Sequence, residues 1–255
     1  MLGYRPFLDF ATDAAWQAGR LVLGYFQREA AVELKKDETP VTVADREAEG
    51  LLRRLIEARF PRHAIVGEEL GETGHDSDHR WIIDPIDGTQ SFVRGVPLFG
   101  VLVGLEIAGA AVVGVAHFPA LGETVAAATG EGCRWNGRPA HVSSVSRLEA
   151  ALLLCTDTAE MRRRAPESWS RLEAAVRFQR GWSDCYGYAL VATGRADLML
   201  DPATHPWDCA ALFPILREAG GSFTDWTGKA TIYGGNSLAT NGRLLGETLR
   251  LLRSG

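Results

Sequence analysis

The chain has 255 residues, 46% hydrophobic and 23% charged, enough apolar content for a substantial core in one large domain or two smaller halves. Its formal net charge of −5 argues against a sequence-independent nucleic-acid binder, and no apolar run is long enough to span a bilayer. The four cysteines (Cys133, Cys155, Cys185, Cys209) form no C-x-x-C pair and the N-terminus lacks a signal-peptide core, so a cytoplasmic protein with reduced thiols is expected.

In chain order, apolar residues from Phe7 to Phe26 recur every three or four positions, which predicts an amphipathic helix with Pro6 near its first turn. A polar run, Lys35-Lys36-Asp37-Glu38-Thr39-Pro40, precedes Thr42, which is placed to cap a second helix with Asp45 three positions on. Ala48, Leu51, Leu52, Leu55 and Ile56 form that helix's apolar face, and Pro61 follows its end. Ala64-Ile65-Val66 reads as a short strand leading into Gly67-Glu68-Glu69, and the polar residues 70–79 read as a mobile loop that orders when metal binds. Val101–Glu106 and Ala111–His117 predict a hairpin, Glu123–Ala128 a further strand, and Asn136-Gly137 a tight turn. Past residue 145 strands are expected at 152–154 and 196–200, and helices at 160–176, 184–193, 208–219 and 244–252. This alternation suggests a second α/β half, dividing the chain into 1–145 and 146–255.

The organising stretch is Trp81-Ile82-Ile83-Asp84-Pro85-Ile86-Asp87-Gly88-Thr89: a buried strand expected to break into a turn that carries two carboxylates. Asp84, Asp87 and the carbonyl between them offer three oxygen ligands for a hard divalent cation, although a D-x-x-D pair alone also reads as a solvated surface turn.

Taken together, Pro40-Val41-Thr42-Val43-Ala44-Asp45, Gly67-Glu68-Glu69, Asp84-Pro85-Ile86-Asp87-Gly88-Thr89, Pro206-Trp207-Asp208-Cys209-Ala210-Ala211, Glu218-Ala219-Gly220-Gly221 and Asp225-Trp226-Thr227-Gly228 resemble the inositol monophosphatase family of magnesium-dependent, lithium-sensitive phosphomonoesterases. The resemblance implies a layered αβαβα sandwich with an antiparallel N-terminal sheet, a homodimer, and a site in the cleft between the halves. It implies metal ligation by Glu68, with Glu69 a lesser neighbour, by Asp84 bridging two ions, by the Ile86 carbonyl, by Asp87 and by Asp208. Asp45 and Thr89 match the pair that orients and helps deprotonate the attacking water, and the N–H groups of Gly88, Thr89 and Gln90 are placed to meet phosphate oxygens. An oxygen-only ligand set favours two or three Mg2+ ions, with Mn2+ as substitute, over zinc. Paired ions roughly 4 Å apart activate a water and stabilise the leaving oxygen, so direct hydrolysis without a phosphoenzyme is expected.

Thr89-Gln90-Ser91-Phe92 departs from the family's commoner D-G-T-x-N-F string; with Ser183-Asp184-Cys185-Tyr186-Gly187-Tyr188 it looks like the histidinol-phosphate phosphatase branch. Histidinol carries an ammonium and an imidazole, for which Asp184 and Asp201 are candidate partners alongside Asp87. Asp184 also reads as a helix cap and Asp201, beside Pro202, as a turn. His205 reads as a loop residue without a role, Lys35 and Lys36 read as a solvated charge run although the resemblance also allows one of them near the site, and Arg94 faces solvent or a neighbouring subunit. The alternatives are a small phosphate monoesterase acting on inositol monophosphate, a sugar phosphate or a nucleotide phosphate, and a non-catalytic protein that keeps the fold.

Overall fold

The computed structural model describes residues 3–28, 32–34, 40–74, 77–182 and 184–253, with the backbone alone at 32–34 and 40. Lys35, Lys36 and Ser183 lie outside the described residues.

Helix α1 (Arg5–Tyr25) opens with Pro6 in its first turn, as the periodicity predicts. A short antiparallel ribbon of β1 (Val32–Leu34) and β2 (Pro40–Thr42) leads into α2 (Val43–Arg59). There β3 (Ala64–Gly67), β4 (Gly71–Thr73), β5 (His79–Asp87), the short α3 (Thr89–Val93), and strands β6 (Gly100–Ile107), β7 (Ala110–Phe118), β8 (Glu123–Ala128), β9 (Gly132–Trp135) and β10 (Arg138–Pro139) follow. The strands form a sheet in the order β10-β9-β8-β7-β6-β5-β3-β4, antiparallel except for β3 beside β5. The remaining chain supplies β11 (Leu152–Cys155), α4 (Thr158–Arg164), α5 (Pro166–Ala175), β12 (Phe178–Arg180), α6 (Asp184–Ala192), β13 (Leu198–Asp201), α7 (Pro206–Cys209), α8 (Leu212–Glu218), β14 (Ser222–Thr224), β15 (Ser237–Thr240) and α9 (Leu245–Arg253). Its sheet runs β12-β11-β13-β15-β14, with β11 parallel to both neighbours.

Side-chain alternation explains the layering. On β5, Trp81 and Ile83 face α1 and α2, while Ile82 joins the core shared with α6 and α8. On β11 and β13, Leu154 and Met199 enter that same shared core, whereas Leu153, Cys155, Leu198 and Leu200 pack toward α4, α5 and α9. Both sheets are therefore apolar on both faces, and α1–α2, sheet, α6–α8, sheet, α4–α5–α9 is the expected αβαβα sandwich. Among the described residues no helix is long and apolar enough to cross a membrane.

Four local expectations need correction. The motif strand does not break at Asp84: β5 continues through Pro85 to Asp87, with an irregular step in its pairing to β6 between Asp84 and Asp87. Proline is tolerated because its missing N–H falls where the ladder is interrupted and β3 has already ended. Residues 71–73 are a strand paired to β3 rather than part of a loop. The helix expected over 160–176 is two helices, since Pro166 cannot donate to the preceding turn and starts α5 instead. The helix expected over 208–219 is likewise divided into α7 and α8, with Pro214 removing the N–H that would have met the Ala210 carbonyl.

Two glycines bring the halves together. Gly104 on β6 and Gly114 on β7 are direct cross-strand partners, and a Cβ on either would run into Ala210 or Ala211 at the α7–α8 junction. The bare backbone forms a trough in which that junction sits against the sheet, delivering Asp208 to the end of β5.

Candidate active site

Asp45 enters the site from the first turn of α2. Thr42 caps that helix, and Asp45 Oδ2 accepts both the Thr42 N–H, at 2.7 Å, and the Thr42 hydroxyl, at 2.6 Å. Its other oxygen, Oδ1, lies 3.5 Å from Thr89 Oγ1, which donates to the Ile86 carbonyl at 3.0 Å. Burial, with the charge of Glu68 adding to it, raises the Asp45 pKa above the usual carboxylate value. Asp45 and Thr89, 44 residues apart in sequence, thus meet through their side chains.

Asp84 is buried at the end of the β5 run and takes the Ile86 N–H at 3.0 Å. Asp87 Oδ2 accepts the backbone N–H of Cys185 at 2.6 Å, so the start of α6 is tied to the end of β5. Asp208 folds back at the start of α7 to accept the His205 N–H at 2.7 Å; this backbone bond gives His205 a positioning part that its loop assignment did not include. One carboxylate oxygen from each of Asp84, Asp87 and Asp208 lies within 4.8 Å of the others. Burial first, and then mutual repulsion with Glu68 and Asp184, holds the carboxyls of Asp84 and Asp87 well above their ordinary range. Asp208 is pushed up to about 7, again chiefly by burial. Such a cluster is electrostatically costly by itself, and its all-oxygen donors suit a hard divalent cation. The residues present therefore fit a metal.

Gly88 closes β5 in a left-handed conformation, φ 88°, and serves as N-cap of α3; a Cβ there would stand 2.9 Å from the Leu98 carbonyl oxygen and 3.2 Å from Asp184 Oδ2. Gln90 is exposed on α3, and Arg94 turns back to donate to its backbone carbonyl at 3.1 Å and to its side chain. Asp184 has φ 53°, which is not the extended backbone of an N-cap, and its N–H donates to Thr156 Oγ1 at 3.0 Å.

A cavity of about 140 Å³ opens beside this cluster, and its lining includes the acidic residues Asp87, Asp157, Glu160, Asp184, Asp201 and Asp208. Asp201 is buried there with both oxygens engaged: Oδ1 accepts the Thr156 N–H at 3.1 Å and Oδ2 the Tyr188 hydroxyl at 2.8 Å. Burial pushes its pKa up to about 7. Glu160 is shared with Arg163 and Arg164. Asp157 and Glu160 were not legible as site residues, because nothing local in sequence marks them, and Tyr188 was read only as part of the Ser183–Tyr188 string, without a role of its own. Glu49 and Arg53 are a different case. They fall on the α2 stripe with Leu52 and Ile56, and two opposite charges on an apolar stripe are a readable anomaly.

A family model described as the inositol monophosphatase family matches residues 4–254. Similar proteins include a histidinol-phosphatase of Chlorobaculum parvum, 44% identical over 96% of this chain and 95% of that protein. A histidinol-phosphatase of Mycobacterium tuberculosis is 39% identical over 88% of each chain, and the Nus factor SuhB of Escherichia coli is 32% identical over 97% of this chain and 96% of that one. Among solved structures, a Thermotoga maritima IMPase superposes with a TM-score of 0.89 at 33% identity, covering 97% of this chain and 96% of that one. With the layered fold, the carboxylate cluster and a match along nearly its whole length, the chain belongs to the inositol monophosphatase family and is a phosphatase of that family acting on a small phosphate monoester.

Proposed function

We propose that this protein hydrolyses L-histidinol phosphate to L-histidinol and phosphate, as a step of histidine biosynthesis in the cytoplasm, with Mg2+ as its cofactor. The observation that carries the substrate choice is the ring of carboxylates around the cavity beside Asp84, Asp87 and Asp208. A leaving alcohol that bears an ammonium and an imidazole gains both hydrogen bonds and ion pairing from such a ring, whereas a neutral polyol gains hydrogen bonds alone. The histidinol-phosphatase relatives support the same choice.

Glu68, Asp84, Asp87, Asp208 and the Ile86 carbonyl would hold two or three Mg2+ ions, or Mn2+ in their place, which neutralise the phosphate and acidify a water when bound. The Thr89 hydroxyl and Asp45 orient that water, and Asp45 Oδ1 receives its proton by way of Thr89. The water oxygen forms the new bond to phosphorus as the bond to the histidinol oxygen breaks; the departing alkoxide takes a proton from solvent water, and Asp45 returns the proton it received to solvent. The N–H groups of Gly88, Thr89 and Gln90 donate to the phosphate oxygens, and Asp184 and Asp87 hold the cationic part of histidinol, joined by Asp201, whose ionised form a bound cation favours. Residues 1–145 supply most of the ligands, and 146–255 supply Asp208 and the specificity residues. Family resemblance further supports a homodimer and inhibition by lithium, each measurable directly by light scattering and by titration with LiCl.

The deciding experiment is phosphate release from a panel that includes histidinol phosphate, myo-inositol 1-phosphate, a sugar phosphate and a nucleotide, with Mg2+ and with chelator. Histidinol phosphate is expected to dominate, with no phosphoprotein trapped during turnover. A large preference for myo-inositol 1-phosphate would replace the substrate; that second reading is favoured by the fold match to the Thermotoga IMPase.

A further inference from the structure

Between α2 and the β3–β4 hairpin lies a buried ion pair that the chemistry above does not use. Glu49 and Arg53 stand one turn apart on α2, their side chains 0% and 8% exposed, and approach to 2.7 Å. Glu49 spends its carboxylate on the backbone around Glu68: Oε2 accepts the Glu69 N–H at 2.7 Å and Oε1 the Leu70 N–H at 3.1 Å. Arg53 reaches the other strand of the hairpin, where Nη1 donates to Thr73 Oγ1 at 2.6 Å and Nη2 to the Gly71 carbonyl. Gly67 completes the fit, because a Cβ there would overlap the Glu49 carboxylate. Stability alone does not account for such a pair. Two buried charges lose hydration that apolar side chains of similar volume, beside Leu52 and Ile56, would not have to give up. What the pair does supply is direction, since it binds the residues that follow Glu68 by name.

We propose that Glu49, aligned by Arg53, is the positioning residue for Glu68: it fixes the backbone from Gly67 to Leu70 and thereby sets how tightly the site holds a divalent cation. This rests on the reading of Glu68 as a metal ligand. Partners that orient a ligand without touching the metal are typically worth about 10–100-fold in metal affinity.

The test compares wild type, Glu49→Gln, Thr73→Val and Glu68→Gln by calorimetric titration of the metal-free proteins with Mg2+ alone. The Mg2+ dependence of phosphate release is measured in parallel. Glu49→Gln is expected to weaken Mg2+ binding about tenfold or more and to raise the Mg2+ needed for half-maximal activity by the same factor. At saturating Mg2+ the KM for the phosphate ester should stay within about twofold, and the Glu69 and Leu70 amides should exchange faster with solvent. Thr73→Val removes an Arg53 contact on an exposed residue without unpairing the charges, so it carries the test if Glu49→Gln does not fold; its expected loss is about threefold. Unchanged Mg2+ affinity in a folded Glu49→Gln, or in Thr73→Val where that variant carries the test, while Glu68→Gln binds weakly, overturns the positioning role alone. Unchanged affinity in Glu68→Gln removes the reading of Glu68 and the proposal with it.

Discussion

Replacing Gly114 by alanine tests whether the seat of the α7–α8 junction places Asp208. The new Cβ would overlap the Ala211 carbonyl oxygen outright, and would stand 2.7 Å from that carbonyl's carbon and 2.9 Å from Pro214 Cγ, whereas ordinary contact begins at 3.4 Å. The shortfall against the carbonyl carbon is about 0.7 Å, and the obstacle is backbone rather than the end of a flexible chain. The junction must therefore retreat from the sheet, taking Asp208, three residues before Ala211, away from Asp84 and Asp87. Overpacking of this kind costs about 1–3 kcal/mol, a fall of about 2–12 °C in Tm for a chain of this length. A misplacement near 1 Å in a catalytic constellation costs about 100-fold, so a retreat of about 0.7 Å or more is expected to cost at least about tenfold in kcat, with a raised Mg2+ requirement. Thermal unfolding and Mg2+-dependent phosphate release measure both effects. Gly24→Ala on α1, where a Cβ meets nothing within 4 Å, is the control and should leave both unchanged or slightly raise Tm. A Gly114→Ala protein with wild-type Tm and kcat would refute the reasoning.

Asp84→Asn should abolish Mg2+-dependent phosphate release while the protein remains folded by circular dichroism, because removing charge relieves repulsion in the metal-free cluster as it deletes a ligand. Asp184→Asn should raise the KM for histidinol phosphate about tenfold and leave that for myo-inositol 1-phosphate within about twofold, in steady-state assays. Asp201 is held protonated by burial up to a pH of about 7, against an ordinary value of 3.8. The folded protein therefore keeps a proton that the unfolded chain releases, and this stabilisation is full below pH 3.8 and lost as pH rises to about 7. The contribution is up to about 4 kcal/mol. Urea midpoints in chelator between pH 5 and 8 should fall in wild type and fall less in Asp201→Asn; equal slopes would count against it.

The site was legible where its signals are local. The Thr42–Asp45 capping box lies within one helical turn, and Gly67-Glu68-Glu69, the Asp84–Thr89 string and Pro206-Trp207-Asp208 are compact. The unread part depends on long-range pairing: the Cys185 N–H reaches Asp87 across 98 residues, and Tyr188 and Thr156 meet Asp201 from different elements. The missed breaks at Pro166 and Pro214 were local signals that the apolar period overrode.

By itself the sequence determined which segments are apolar and with what period, where the main turns fall and which acidic groups are present, since each depends on neighbours a few residues away. Only the tertiary structure decided that β5 runs on through Pro85, that Gly104 and Gly114 seat the α7–α8 junction, and that Asp208 meets Asp84 and Asp87. Those outcomes depend on which backbones approach one another, and that is settled by packing both faces of two sheets at once rather than by any local preference.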